Sequence, residues 1–174
     1  MNSGTARLTG LTGLAWGVLV LVAYLGIFVF AGRALTGGGT GGASIVVILS
    51  LLASVAMIAM LYFLSTQLSS QIGKIACYAG LVFAIVLIVF QFAQPGGAAL
   101  PLVASVLLGI SCIVIGVFGV MQGGAGAWKA FAILLIVAGA LKTIVIGEII
   151  YPFAACAAGI VLFVAMNAAA KQPA

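Results

Sequence analysis

The sequence contains no histidine, no aspartate and a single glutamate, Glu148. Haem ligation in membrane proteins and general acid–base catalysis most often use histidine or paired carboxylates. Both kinds of site are therefore excluded for this chain alone, as is a carboxylate proton relay. We expect a protein that is not an enzyme and binds no cofactor through histidine, while contact with a lipid, a quinone or a carotenoid stays open.

Charged residues are also scarce, at 4% of the chain against 66% hydrophobic residues, with a mean hydropathy of +1.48. Soluble domains carry about 25% charged residues. The composition therefore predicts an integral membrane protein whose first partner is the lipid bilayer. The six Lys and Arg residues are spread singly along the chain, so no basic patch predicts a nucleic-acid partner.

The three cysteines, Cys77, Cys112 and Cys156, are separated by long intervals and form no CxxC motif. A disulfide framework or a clustered metal site needs closer spacing. We interpret the cysteines as small apolar packing residues. The aromatic residues Trp16, Trp128 and Tyr151 lie near predicted span ends, which is typical of a membrane-interface belt.

Six apolar segments, separated by glycine, proline or polar residues, are each about as long as the roughly 20 residues that cross a bilayer. They predict an all-α bundle in one transmembrane domain, residues 1–174, without an extramembrane domain. The continuous apolar stretch 127–170 is divided near Pro152, because one helix of that length would measure about 66 Å. The first segment is too long for a signal peptide and is interpreted as an uncleaved span. The predicted spans are 11–31, 43–64, 75–92, 100–121, 128–147 and 152–169.

An even number of spans places both termini on the same side of the membrane. The positive-inside rule assigns the side that is richer in Lys and Arg to the cytoplasm. Arg33 and Lys142 fall toward the other side, so we expect cytoplasmic termini and a multi-pass protein of a bacterial inner (cytoplasmic) membrane. The residues on the terminal side are Arg7, Lys74, Lys129 and Lys171.

Small residues recur at helical spacing within the predicted spans. Such faces allow close approach of helix backbones in lipid. We interpret them first as packing faces within the chain and second as an interface with other membrane subunits or with a second copy. The glycines of these faces are Gly13, Gly17, Gly80, Gly109, Gly116 and Gly159, and helix 2 carries Ser50 and Ser54 at the same spacing.

Lys142 is the most unusual position, because it lies deep in a predicted span. It follows Lys129 by 13 residues, or about 20 Å of helix, which leaves it about 10 Å short of the far edge of the hydrocarbon core. One interpretation is that its side chain reaches outward to the headgroups, with Glu148 in the headgroup region. The other is an intramembrane ion pair with Glu148 or a contact with a partner.

No motif assigns the chain to a family, so two functions are carried forward. The short loops, the missing catalytic groups and the small-residue faces favour a non-catalytic integral subunit or scaffold of a larger membrane protein complex. The alternative is a small transporter or channel for a neutral or apolar solute. That alternative requires the scattered serine, glutamine and tyrosine side chains to line one cavity.

Overall fold

The computed structural model describes residues 3–35, 42–93, 99–123, 126–144, 147 and 149–171, with side chains described outside 30–44 and 91–100. All elements in these ranges are helical, which confirms the predicted all-α fold with six helices. Every helix except α5 is long and apolar enough to cross a membrane, so the chain is a multi-pass membrane protein. The helices are α1 Ser3–Leu35, α2 Gly42–Gln67, α3 Gln71–Ala93, α4 Ala99–Met121, α5 Ala127–Thr143 and α6 Tyr151–Ala170.

The helix boundaries follow from local chemistry. Pro152 occupies the first turn of α6, where its missing N–H costs little. Gly126, with φ of 64°, precedes α5 in a backbone conformation that favours glycine. The indole Nε1 of Trp128 donates to the carbonyl of Gly119 at 3.0 Å, which fixes the start of α5 against the end of α4.

The helices form a closed ring. Each packs against its neighbours in the sequence, and α6 returns to pack against α1. Between helices on opposite sides of the ring, the described residues show no approach of Cα atoms within 8 Å. The centre of such a ring must be filled by side chains or remain a cavity, and the two halves of this bundle differ in that respect.

Large buried side chains from all six helices fill the half of the bundle that carries both termini. The termini lie at the same end because Gly10 of α1 packs against Phe163 and Met166 of α6. We refer to this half as the terminal half and to its central residues as the plug. The plug comprises Trp16, Leu61, Cys77, Ile115, Leu135 and Leu162, each no more than 1% exposed.

The basic residues of the terminal side lie near helix ends in this half. Arg7, Lys74 and Lys129 fall near the starts of α1, α3 and α5, and Lys171 follows α6. Their common position agrees with a single basic face of the bundle. Cytoplasmic orientation of that face stays a prediction from the positive-inside rule.

The side-chain amide of Gln122 connects two loops at the terminal end. Its Oε1 accepts a hydrogen bond from the backbone N–H of Ser69 at 3.3 Å, and its Nε2 donates to the carbonyl of Gln67 at 3.1 Å. These bonds tie the end of α4 to the α2–α3 loop. They help to hold the terminal ends of three helices together.

Gln122→Ala is expected to lower the free energy of unfolding by about 1 kcal/mol, because two solvent-exposed neutral hydrogen bonds are lost. Thermal unfolding in detergent measures the change. Met121→Ala, at an exposed neighbouring position, is the control and is expected to leave the midpoint near that of the parent protein. Equal midpoints for the two variants would show that the bridge does not stabilise the bundle.

Candidate solute cavity

A cavity of about 420 Å³ lies between the helices, mainly in the half opposite the termini, and all six helices contribute to its wall. Its floor is formed by Trp16, which belongs to the plug, together with Met57 and Leu108. From there it extends to Ile27 of α1 and Phe90 of α3, near the far ends of those helices. Its size falls within the range of about 300–1,000 Å³ that is usual for small-molecule sites.

The cavity exists partly because α5 ends early. Its last residue is Thr143 rather than the predicted residue 147, and the Thr143 side chain lies against Gly109 of α4. Gly109 lies ten residues after Ala99, the first residue of α4, or about 15 Å along the helix. Helix α5 therefore ends about 15 Å short of the level at which α4 begins, at the end of the bundle opposite the termini.

Helix α6 also starts well short of the C-terminal end of α1, which lies opposite the chain termini. Ala155 and Cys156 lie against Gly17, so Tyr151, about one turn earlier, is level with roughly residue 21 of α1. Helix α1 continues to Leu35, about 20 Å further. The α5–α6 connection thus lies well short of the end of α1, and its described residues other than Gly147 are exposed on the outside of the bundle.

Two backbone hydrogen bonds form short turns in this connection. The N–H of Gly147 donates to the carbonyl of Ile144 at 2.8 Å, and the N–H of Ile150 donates to that of Gly147 at 3.0 Å. Because α5 ends early and α6 starts late, the cavity wall is shortest on the α5–α6 side of the ring.

Among the described residues that line the cavity, Lys142 contributes the only charged side chain. Its Nζ lies 4.4 Å from the centroid of the Tyr151 ring, a cation–π contact between α5 and α6. Lys142 also lies in the last turn of α5, where the helix dipole favours a positive charge. Glu148 lies outside the described residues, so its pairing with Lys142 stays a prediction.

Hydroxyl groups lie among the apolar side chains of the wall. Ser50, Ser54, Ser105 and Tyr24 all line the cavity. The Ser54 hydroxyl donates to the carbonyl of Ser50 at 2.9 Å, so its oxygen remains available as an acceptor. Ser50 and Ser54, which the sequence placed on a packing face, therefore belong to the cavity wall.

The six glycines that were assigned to packing faces all lie at contacts between helices of this chain. Gly13 and Gly17 of α1 face α6, and Gly159 of α6 faces α1. Gly80 lies between Leu61 of α2 and Ser111 of α4. On α4, Gly109 and Gly116 face α5, where Gly139, which the sequence did not single out for packing, lies directly against Gly109.

Sequence reasoning did not identify the cavity itself. Trp16 and Tyr151 were assigned to the membrane interface, whereas both line the cavity and are at least nine-tenths buried. The available signal was the presence of Ser50, Ser54 and Lys142 inside apolar spans, because polar groups at that depth need partners or a polar cavity. Their convergence depends on the ring, which the sequence does not specify.

Comparison with protein-family models, with curated proteins and with solved structures gives no match for this chain. The functional interpretation therefore rests on the geometry of the cavity.

Proposed function

We propose that this chain is a small membrane transporter whose solute site is the central cavity. The observation that supports this proposal is a closed ring in which all six helices line one cavity of about 420 Å³ above a solid plug. We also propose that the protein lies in a bacterial cytoplasmic membrane with its termini on the cytoplasmic side, and that it transports a solute without catalysing a reaction.

A cavity that is closed at one end requires a change of conformation for transport. Helix α1 packs against α6 through Gly13 and Gly159, and α4 packs against α5 through Gly109 and Gly139. Among the described residues, no glycine makes a comparable contact between α5 and α6. We propose that these two close pairs move as units about the α5–α6 boundary, which exposes the cavity alternately to the two sides.

The accessory-subunit function stays a prediction. It relied on the short loops, on the missing catalytic groups and on small-residue faces that could bind other membrane subunits or a second copy. The glycines of those faces are occupied by helices of the same chain, so no described surface is specifically assigned to a partner. Transport is therefore the function that we carry forward.

Gentle extraction, followed by size analysis and mass spectrometry of everything that stays bound, distinguishes these functions. Transport predicts a monomer or a homo-oligomer. After reconstitution into liposomes, it also predicts saturable uptake of at least one of two radiolabelled probes, glycerol or octanesulfonate. Stoichiometric larger subunits together with the absence of uptake would contradict the proposal and favour an accessory role.

A further inference from the structure

We infer that the cavity opens sideways into the bilayer between α1 and α4, and that its solute is a molecule with a hydrocarbon body that enters from the lipid phase. This inference rests on the transport function proposed above and names the source and the chemical class of the solute. It narrows the neutral or apolar solute that the sequence alone allowed to one that dissolves in the membrane. It assigns no charge to the headgroup.

The wall of the ring is incomplete in the half opposite the termini. Helix α5 ends at Thr143, which lies against Gly109 of α4, and α6 begins at Tyr151, level with roughly residue 21 of α1. Beyond these levels, α1 and α4 form the two edges of this side of the ring. Their described residues show no approach of Cα atoms within 8 Å. The opening between them therefore spans the positions of two helices.

The opening is large enough to admit a hydrocarbon chain. Neighbouring helices pack about 9 Å apart, so the opposite helices α1 and α4 of a ring of six lie about 18 Å apart. Subtracting a helix diameter of about 10–12 Å leaves an opening about 6–8 Å wide. Its edges extend from Gly109 to Pro101 on α4 and from residue 21 to Val29 on α1, about 12 Å each. Both edges belong to apolar membrane-spanning segments, so the opening faces the hydrocarbon core.

The edge on α1 is aromatic. Tyr24 and Phe28 lie two and three turns after Gly17, on the side of α1 that packs against α6 closer to the termini. Tyr24 lines the cavity, and its ring centroid lies 4.9 Å from that of Phe28 and 6.5 Å from that of Phe153 in the first turn of α6. Phe28 and Phe153 are 57% and 52% exposed. The three rings therefore connect the cavity with the outer surface of the bundle.

The edge on α4 has the same organisation. Ser105 and Leu102 lie one and two turns before Gly109, on the side of α4 that packs against α5 closer to the termini. Ser105 lines the cavity, whereas Leu102 is 51% exposed. Each edge thus carries one residue that faces the cavity and one that faces outward. We refer to the opening as the lateral portal and to Tyr24, Phe28, Leu102 and Ser105 as its frame.

The surface beside the lateral portal suits contact with lipid. Ile144, Ile149 and Ile150 of the α5–α6 connection are 57–59% exposed. A contiguous exposed apolar surface marks a contact with a membrane or a partner, and in a multi-pass protein the bilayer supplies that contact. Inside the cavity, Ile27 and Phe90 continue the apolar surface. A membrane-dissolved molecule therefore meets apolar side chains along the whole route.

Quenching of Trp16 by a brominated lipid tests lateral entry. Trp16 is 1% exposed and lies at the floor of the cavity, and Trp128→Phe makes it the only tryptophan. The protein is placed in nanodiscs of phosphatidylcholine that is brominated midway along its acyl chains, because bromine quenches tryptophan at short range. We expect Trp16 to lose most of the fluorescence that it shows in unbrominated lipid.

A second buried tryptophan provides the control for quenching through the helical wall. Phe131 is 2% exposed and does not line the cavity. Phe131→Trp, in a protein that also carries Trp16→Phe and Trp128→Phe, is expected to keep most of its fluorescence in the brominated lipid. Equal quenching of the two tryptophans would contradict lateral entry.

Narrowing of the lateral portal tests the route in the Trp128→Phe protein. The pair Leu102→Phe and Ser105→Phe adds two rings to the frame and is expected to remove most of the quenching of Trp16. The control pair, Val103→Phe and Ile110→Phe, adds two rings to positions of the same helix that are 50% and 45% exposed. It is expected to leave the quenching unchanged. Circular dichroism and a monodisperse size profile establish that the variants are folded.

Competition with the brominated lipid tests the chemical class of the solute. Octanesulfonate and ethanesulfonate share a headgroup and differ in the length of the apolar chain. We expect octanesulfonate to restore Trp16 fluorescence by displacing acyl chains from the cavity, and ethanesulfonate to have no effect, because burial of apolar surface favours the longer chain. Equal restoration by the two compounds would contradict a solute with a hydrocarbon body.

The outcomes also separate this inference from the proposed function. Uptake of glycerol or octanesulfonate without quenching of Trp16 would contradict lateral entry alone, as would equal quenching in the two pairs of variants. Quenching without uptake of either probe would support the lateral portal and contradict transport. Absence of both would contradict both. If the variant with the narrowed portal does not fold, the comparison of Trp16 with Phe131→Trp still decides.

Discussion

Replacement of Gly139 by leucine is expected to abolish the folded bundle. A Cβ atom at Gly139 would lie 2.5 Å from the carbonyl oxygen of Gly109 and 2.9 Å from the backbone nitrogen of Ile113. These are backbone atoms of α4, so no side-chain rotation can relieve the overlap. The two helices would have to separate, which removes the close packing on which helix association in lipid depends.

The expected loss exceeds about 4 kcal/mol, in the range of the most damaging single substitutions. Unfolding in mixed detergent micelles, together with the yield of monodisperse protein, measures it. Ala130→Leu enlarges an exposed position of the same helix and is expected to change stability by less than about 0.5 kcal/mol. A Gly139→Leu protein as stable as Ala130→Leu would mean that α4 and α5 do not pack in this way.

Ser54→Phe is expected to reduce solute uptake about tenfold or more, because a phenyl group would occupy space in the cavity and replace a polar group with an apolar one. Ser54 lines the cavity on α2. Uptake of radiolabelled octanesulfonate into liposomes measures the effect. The bundle itself is expected to remain folded, since the ring encloses free volume at this position.

The control for Ser54→Phe is the adjacent residue. Val55 is 57% exposed, so its side chain faces lipid in the membrane. Val55→Phe adds an aromatic ring to the outside of α2 and is expected to leave uptake near the level of the parent protein. Equal loss of uptake in both variants would indicate a general effect on α2 rather than obstruction of the cavity.

The sequence predicted the number and type of the helices because composition and length dictate them in a bilayer. Five helices are longer than predicted, and for α1 and α2 the structure gives a local reason. The Thr9 hydroxyl donates to the carbonyl of Thr5 at 2.8 Å, and that of Ser65 donates to the carbonyl of Tyr62 at 2.6 Å. Polar side chains that bond to their own helix do not end it, so α1 begins at Ser3 and α2 continues to Gln67.

The early end of α5 was less accessible to sequence reasoning. The stretch from Lys142 to Ile150 contains neither proline nor a run of polar residues, so local signals favoured a later boundary. Helix α5 instead stops where Thr143 meets Gly109, a contact between distant parts of the chain. Such boundaries depend on tertiary packing rather than on propensity.

A small residue in the sequence does not by itself show whether its position packs against a neighbouring helix or lines the cavity. Gly109 and Ser54 lie on similar small-residue stripes, and both were assigned to helix packing. Gly109 meets another glycine, Gly139, so the backbones approach closely. Ser54 instead faces the centre of the ring, where the helices are too far apart for such contact.

The measurement that tests the central claim most directly is the accessibility of Ser54 from the side opposite the termini. Cys77, Cys112 and Cys156 are first replaced by alanine, and Ser54→Cys or Leu64→Cys is then introduced. Leu64 lies on the same helix and is fully buried in the terminal half. A membrane-impermeant, negatively charged methanethiosulfonate is applied to either side of oriented vesicles.

The Ser54→Cys protein is expected to react on the order of 100-fold faster than Leu64→Cys, since thiol modification follows exposure, and to react from the side opposite the termini. Protection of the Ser54→Cys thiol by octanesulfonate would link that access to the solute site. Equal rates for the two thiols, or reaction only from the terminal side, would contradict a solute cavity above a closed plug.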